Sequence, residues 1–249
     1  MYKMSGVRQV DMEAVGGLIA KRSSDPTFKH RMMLLACETD NVVAAKLVAE
    51  ALGVSAEDVR LNGNIVLRTA CRNGCLKVLE WLVDSFGLTV QDLRAGDDIA
   101  LYVTCREGQI HVLKWLFREF SFSPHDVKRY LGKWSLLAVA CAFGHLRVAK
   151  WLDASFGLPP LSEADIGVIL RDGGLKTIKW AFARSSIDKY HLRNFDHLLL
   201  QIAFENESTE VLEWVFEQFD LNVDDIRAVI NVAYVSDAQM AIIAKHFHL

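Results

Sequence analysis

Apolar and polar positions along the chain follow one pattern that keeps returning. At 104–122, TCREGQIHVLKWLFREFSF, an apolar-rich stretch stops at Gly108, and Ile110, Leu113, Trp115 and Leu116 then line one face of a second stretch at helical spacing. The same text stands at 70–88 (ACRNGCLKVLEWLVDSFGL) and 140–158 (ACAFGHLRVAKWLDASFGL), and in weaker form at 36–54, 170–187 and 203–221. Each copy predicts two helices meeting at a tight turn. Trp81, Trp115, Trp151, Trp180 and Trp214 follow one another at 34, 36, 29 and 34 residues, and Cys37, Cys71, Cys105 and Cys141 at 34, 34 and 36. Six copies in register at such a period mark a stacked repeat. One helix pair cannot hide its apolar stripe alone, so each copy needs neighbours.

The turns and connections carry their own signatures. Gly74, Gly108, Gly144 and Gly173 hold the turn position, where a helix end often requires a positive φ that glycine adopts at little cost. Asp40 and Glu207 replace glycine in the outermost copies and predict a different turn there. After the second helix come Ser55…Asp58, Thr89…Asp92, Ser123…Asp126, Ser162…Asp165 and Asn222…Asp225, each an N-cap with an acid three residues on. Interruptions follow at Leu61–Asn64, Ala95–Asp98, Leu131–Trp134 and Arg193–Asp196. They are missing at the 29-residue spacing, which predicts continuous helices over 163–172 and 223–235, with room for a kink at Gly167.

The stretch from Ser135 to Leu152, SLLAVACAFGHLRVAKWL, resembles the ankyrin repeat, and the resemblance extends over residues 31–249. It departs from that family at the opening Thr-Pro-Leu-His tetrapeptide and at the connections. The resemblance implies an all-α, ankyrin-like solenoid of about six helix-pair repeats with terminal capping helices and a concave binding face. Irregular or helical connections stand in for regular β-hairpins. Copies of this K-W-L and F-G-L type are seen in large DNA viruses and unicellular eukaryotes. The chain is then a single repeat domain over 1–249: an N-terminal cap at 1–30 with a helix over 10–22, six repeats over 31–221, and a C-terminal cap over 222–249 with a helix at 237–249.

Composition narrows the function. The chain is 51% hydrophobic and 24% charged, with a net charge of −3, which argues against a dedicated nucleic-acid binder. No basic stripe stands out, although 126–195 carries a net +5 and 196–249 a net −8. The first twenty residues do not read as a signal peptide, and no apolar run is long enough for a membrane helix. Cysteines recurring once per period read as reduced thiols, hence a cytoplasmic or otherwise intracellular protein. No nucleophile, phosphate-loop or zinc-protease motif occurs, so neither catalysis nor a cofactor is expected. Cys71 and Cys75 invite a metal reading, but Cys71 is explained by the repeat, and no metal is expected. The tryptophans read as core, between the helices of each copy.

Residues that break the polarity of the repeat are the binding candidates. The position before the turn reads Thr39, Asn73, Glu107, Phe143, Asp172 and Asn206, and ten residues before the turn stand Asn64, Asp98, Trp134 and His197. The ankyrin resemblance implies that both positions face the concave side. Trp134 and Phe143 then form an aromatic patch of the kind that anchors protein interfaces, unless the rings pack internally, with Arg72 and Arg106 as basic flanks. The expected function is a non-catalytic, monomeric protein–protein interaction scaffold, binding another protein and neither nucleic acid nor membrane. The alternatives are an enzyme or nucleic-acid factor with a groove site, or a structural array that self-associates.

Overall fold

The computed structural model describes residues 25–96, 99–122, 127, 135–206, 208–230 and 235–248. Among them every regular element is an α-helix, and the sole β-type pairing is an isolated bridge between Leu161 and Ser185. The helices are α1 (Pro26–Glu38), α2 (Val42–Leu52), α3 (Ala56–Asn73), α4 (Leu76–Phe86), α5 (Val90–Arg94), α6 (Ile99–Arg106), α7 (Ile110–Glu119) and α8 (Leu136–Ala142). They continue with α9 (Leu146–Phe156), α10 (Glu163–Asp172), α11 (Leu175–Ala183), α12 (Lys189–Glu205), α13 (Thr209–Phe219), α14 (Val223–Ile230) and α15 (Asp237–Phe247). The chain divides after Val103 into two compact units. No described helix is long and apolar enough to cross a membrane.

Both units use helix pairs in two layers. In the first, α1 packs beside α3, with α2 on α1 and α4 on α3. In the second, α8, α10, α12 and α14 neighbour one another in order, while α9, α11 and α13 lie on their partners and α15 on α13. The C-terminal cap therefore repeats the two-layer placement. Second-layer helices in each unit bury one set of registers: Val78, Leu79 and Leu82 in the first, and Val112, Leu113 and Leu116, Val148, Ala149 and Leu152, and Val211, Leu212 and Val215 in the second. At about 1.5–3 kcal/mol per large apolar side chain, this shared face drives the stacking.

The tryptophans occupy the rim of that face rather than its centre. Trp115 is buried, but Trp81, Trp151, Trp180 and Trp214 are half-buried. Four of the five meet the phenylalanine five residues on, edge to face: Trp81–Phe86 at 5.4 Å, Trp115–Phe120 at 5.6 Å, and Trp151–Phe156 and Trp214–Phe219 at 5.9 Å. Such pairs contribute about 0.5–1.5 kcal/mol beyond their burial.

Turn geometry follows the sequence in part. Gly74, Gly108 and Gly144 take φ of 74°, 70° and 80°. Asp40 adopts the same left-handed region at φ 47°, so the first turn survives without glycine, and its carboxylate accepts a hydrogen bond from the Val78 N–H at 3.2 Å. Gly173 departs from expectation with φ −85° and ψ 154°. Glycine is required there for space, since a Cβ would fall 2.4 Å from the Ile169 carbonyl oxygen. The first interruption is three left-handed residues in succession, Asn62, Gly63 and Asn64, at φ 54°, 65° and 60°. As the spacing predicts, α10 runs unbroken from Glu163 to Asp172. Gly167 does not kink it; this buried residue admits α12, whose Ile202 would stand 3.4 Å from a Cβ. The helix expected over 223–235 is shorter, because Val235 is already non-helical. The helix expected over 10–22, the cap at Ser123–Asp126 and the interruption at Leu131–Trp134 lie outside the described residues.

Capping boxes form at Ser55/Asp58, Thr89/Asp92 and Ser162/Asp165, and Asn222 and Asp225 exchange the equivalent pair of bonds. Each acid has a second task that capping alone does not require: it reaches a residue about one repeat earlier. Asp58 accepts from Lys29 Nζ at 3.0 Å and Asp92 from Arg60 Nε at 2.8 Å. Asp165 uses one carboxylate oxygen for the Ser162 N–H and hydroxyl, and the other for the Ser135 N–H at 3.0 Å and hydroxyl at 3.1 Å. Asp225 lies 3.4 Å from His197 Nε2. At the last cap Gln239 takes over, donating to the Phe204 carbonyl at 2.9 Å.

Two outcomes follow. Asp165→Ala leaves the Ser135 and Ser162 N–H groups and hydroxyls, at the starts of α8 and α10, without their acceptor in a buried site, and should lower stability by about 2–3 kcal/mol in urea denaturation. In the first unit, burial works against ionisation of Asp58 and Asp92, yet the Ser55 and Thr89 caps and the Lys29 and Arg60 partners outweigh it and hold both carboxyls below the ordinary 3.8. A depressed folded value contributes stability above the unfolded value, which is lost as pH falls through the folded one. The urea midpoint should therefore drop as pH falls below about 4, and less steeply in Asp92→Asn.

Candidate functional site

The second unit presents one exposed aromatic at the tip of a turn. α8 is short and buried along its whole length, from Leu136 to Ala142. With no exposed face of its own, it makes its turn the first solvent-facing point of that stretch. The helix ends as the Phe143 N–H donates to the Val139 carbonyl at 3.1 Å, and the His145 N–H returns to the Ala140 carbonyl at 2.7 Å. Phe143 is left 43% exposed. The neighbouring turn closes over it: the Arg106 guanidinium, at the end of α6, lies 5.0 Å from the Phe143 ring centroid. Arg106 Nε also stands 4.0 Å from the Glu107 carboxylate. The same two turns touch through His145, whose imidazole packs where a Gly108 side chain would be, 2.3 Å from an added Cβ.

Of the four residues singled out from sequence, the structure thus brings two together, as a stacked cation and ring rather than a patch with a basic flank. Such a pair at an exposed site contributes roughly 0.5–1 kcal/mol and fixes the ring's orientation. Arg72 is exposed at the end of α3 in the first unit, beside a shallow depression lined by Leu34, Glu38, Thr69 and Asn73. Trp134 lies outside the described residues.

Of the two registers expected to face a partner, the position before the turn is exposed at Thr39, Asn73, Phe143 and Asp172 but not at Asn206, and the position ten residues before the turn faces inward where it is described. Asn64 is buried, with its side-chain amide donating to the Asp92 carbonyl at 2.9 Å, and His197 turns to Asp225. Both are left-handed, at φ 60° and 62°, and that backbone aims the side chain at the next capped turn rather than at solvent. Asn206 is likewise buried, bonding the Leu170 and Gly173 carbonyls at 2.6 and 3.0 Å.

The cysteines are all buried and free. Burial is the main cause that raises the Cys37 and Cys75 thiols and pushes Cys141 up to about 12, which leaves them little thiolate character. The Cys75 thiol donates to the Cys37 carbonyl, and among the described residues no three His, Cys, Asp or Glu side chains group in a metal-binding arrangement.

Sequence reading missed one surface. Exposed lysines and arginines gather on the second-layer helices α7, α9 and α11, contrary to the expectation that no basic stripe exists. The signal was present in the residue before each tryptophan: Lys114, Lys150 and Lys179 against Glu80 and Glu213. No protein-family model matches the chain, and no curated protein matches it closely enough to be counted a relative.

Proposed function

We propose that this chain is a non-catalytic scaffold of the ankyrin type that binds another protein through the turns at the ends of its first-layer helices, with Phe143 as the anchor. The observation that carries this reading is the exposed ring of Phe143, held by Arg106 at a position where the other five copies carry polar residues. A half-exposed aromatic fixed in place before binding presents apolar area at small entropic cost, which is how interface hot spots work. The helix pairs in two layers, the recurring caps and the left-handed turns support the ankyrin-type architecture. Arg72 and Trp134 belong to the same reading from sequence, as a basic flank and as a second ring that the ankyrin resemblance puts on the concave side.

The test is quantitative affinity capture with the wild-type chain, Phe143→Ala, Arg106→Ala and Trp134→Ala, followed by mass spectrometry. Hot-spot losses of about 2 kcal/mol or more correspond to roughly a thirtyfold loss of affinity, so a defined set of proteins should be depleted with Phe143→Ala and partly depleted with Arg106→Ala. Recovery of the same proteins at the same level with every bait sinks the proposal. Phe143 is a surface ring, so Phe143→Ala should melt within a few degrees of wild type, which separates lost binding from lost folding.

A further inference from the structure

Lys114, Lys150 and Lys179 occupy one register on α7, α9 and α11, and all three are exposed. Three residues earlier the same helices carry His111, Arg147 and Lys176, again exposed, and Arg118 follows one turn beyond Lys114. Contacts at both ends set α7 and α9 level: His145, the N-cap of α9, packs over Gly108, and Phe117 of α7 meets Trp151 at 5.6 Å and Phe156 at 4.8 Å. Asp153 of α9 is paired with Arg184 at the C-cap of α11, which brings those two ends together. Matched registers on level helices make two rows of three basic side chains, with about 8–10 Å between columns and about 5 Å between rows.

Among the described residues these charges are not spent on acids of the same chain. None of the six lysines and arginines takes part in an ion pair among the described residues. The three helices hold two acids, Glu119 and Asp153, and Asp153 is engaged by Arg184. Unbalanced exposed charge of one sign attracts its opposite from a distance and raises encounter rates.

The patch has an edge, and the edge selects the ligand. On α13, which packs against α11, the same three registers read Glu210, Glu213 and Glu217. A nucleic-acid duplex carries charge along its whole length, and an anionic membrane carries it over a plane, so either would be driven against those glutamates. An extended acidic peptide of about six or seven residues spans the three basic columns and stops short of them. We infer that α7, α9 and α11 form a docking surface for a short acidic segment of a partner protein, separate from the Phe143 turn.

The experiment follows a fluorescein-labelled peptide of about eight glutamates by anisotropy with the full chain at low ionic strength. The peptide should bind, and binding should weaken steeply with added salt. Lys114→Glu/Lys150→Glu/Lys179→Glu should weaken it roughly tenfold or more, whereas Lys46→Glu/Lys77→Glu, on α2 and α4, should leave it within about twofold. Phe143→Ala should not change it, so this surface and the turn fail or stand independently. All substituted positions are exposed, and circular dichroism melts should match wild type. Equal affinity in the triple variant, or no binding of the peptide by the wild type, overturns the inference. So does tighter binding of a labelled DNA duplex or of phosphatidylserine vesicles through the same three lysines, which would assign the rows to nucleic acid or to a membrane.

Discussion

An acid three residues into a capped helical turn is the interaction on which the stacking depends. Two of its features matter together. Each such Asp satisfies the free N–H groups of its own helix start, and each also holds a group on the preceding first-layer element: Lys29, Arg60, Ser135 or His197. Hydrophobic burial brings helix pairs together but is non-directional. A carboxylate that must meet donors from two copies fixes how far one copy slides along the next. The desolvation of Asp165 is tolerable because four donors converge on it. Lys29 and Arg60 do more, since each also donates to a carbonyl at the end of a second-layer helix, Gly53 and Gly87 respectively.

The second layer is fixed by a different device. The tryptophan–phenylalanine pairs lie within single helices and their C-caps, so each stiffens its own copy, and only where rings from two helices touch does the layer become continuous. Phe117 against Trp151 and Phe156, and Phe182 against Trp214 and Phe219, are such places, both in the second unit. Trp151 and Trp214 are half-buried because a ring that reaches two helices sits at the seam between them. Periodicity alone places a residue on the buried side but does not say how deep.

Most of the fold was readable because its grammar is local. The turn glycines, the capping pairs and the helix-forming runs all lie within a few residues of what they govern, and the structure bears them out at Gly74, Gly108 and Gly144 and at Ser55, Thr89 and Ser162. What was not readable is long-range and chemically inconsistent. The partner of the capping acid is a lysine, an arginine, a serine and a histidine in successive instances, so no motif announces it. Gly173 looked like its fellows because the sequence shows which residue is small and hides whether smallness serves φ or space. Phe143 was legible as an anomaly of polarity; the arginine over it was placed on a flank, because the distance between adjacent turns is a tertiary fact. The basic rows escaped for a simpler reason. Net charge over a stretch of sequence averages all the faces of its helices, whereas the rows lie on one face.

Helix face also separates the positions the fold constrains from those left free. Val112, Leu113 and Leu116 have apolar counterparts on α4, α9 and α13, and where α11 carries Thr177 instead, its buried hydroxyl donates to the Gly174 carbonyl at 2.8 Å, because a polar group at that depth needs a partner. The exposed registers beside them run from Lys77 through His111, Arg147 and Lys176 to Glu210, a full reversal of charge with no change in the helix beneath. Substitutions at such surface positions usually alter stability by less than about 0.5 kcal/mol, so stability gives no reason for three neighbouring copies to agree on basic residues and the next to turn acidic. Phe143 is the converse case. A ring 43% exposed forgoes much of what burial would contribute, and a single exposed cation–π contact of roughly 0.5–1 kcal/mol does not replace it. Both surfaces are therefore features that folding does not account for, which is the ground on which each is proposed as a contact site.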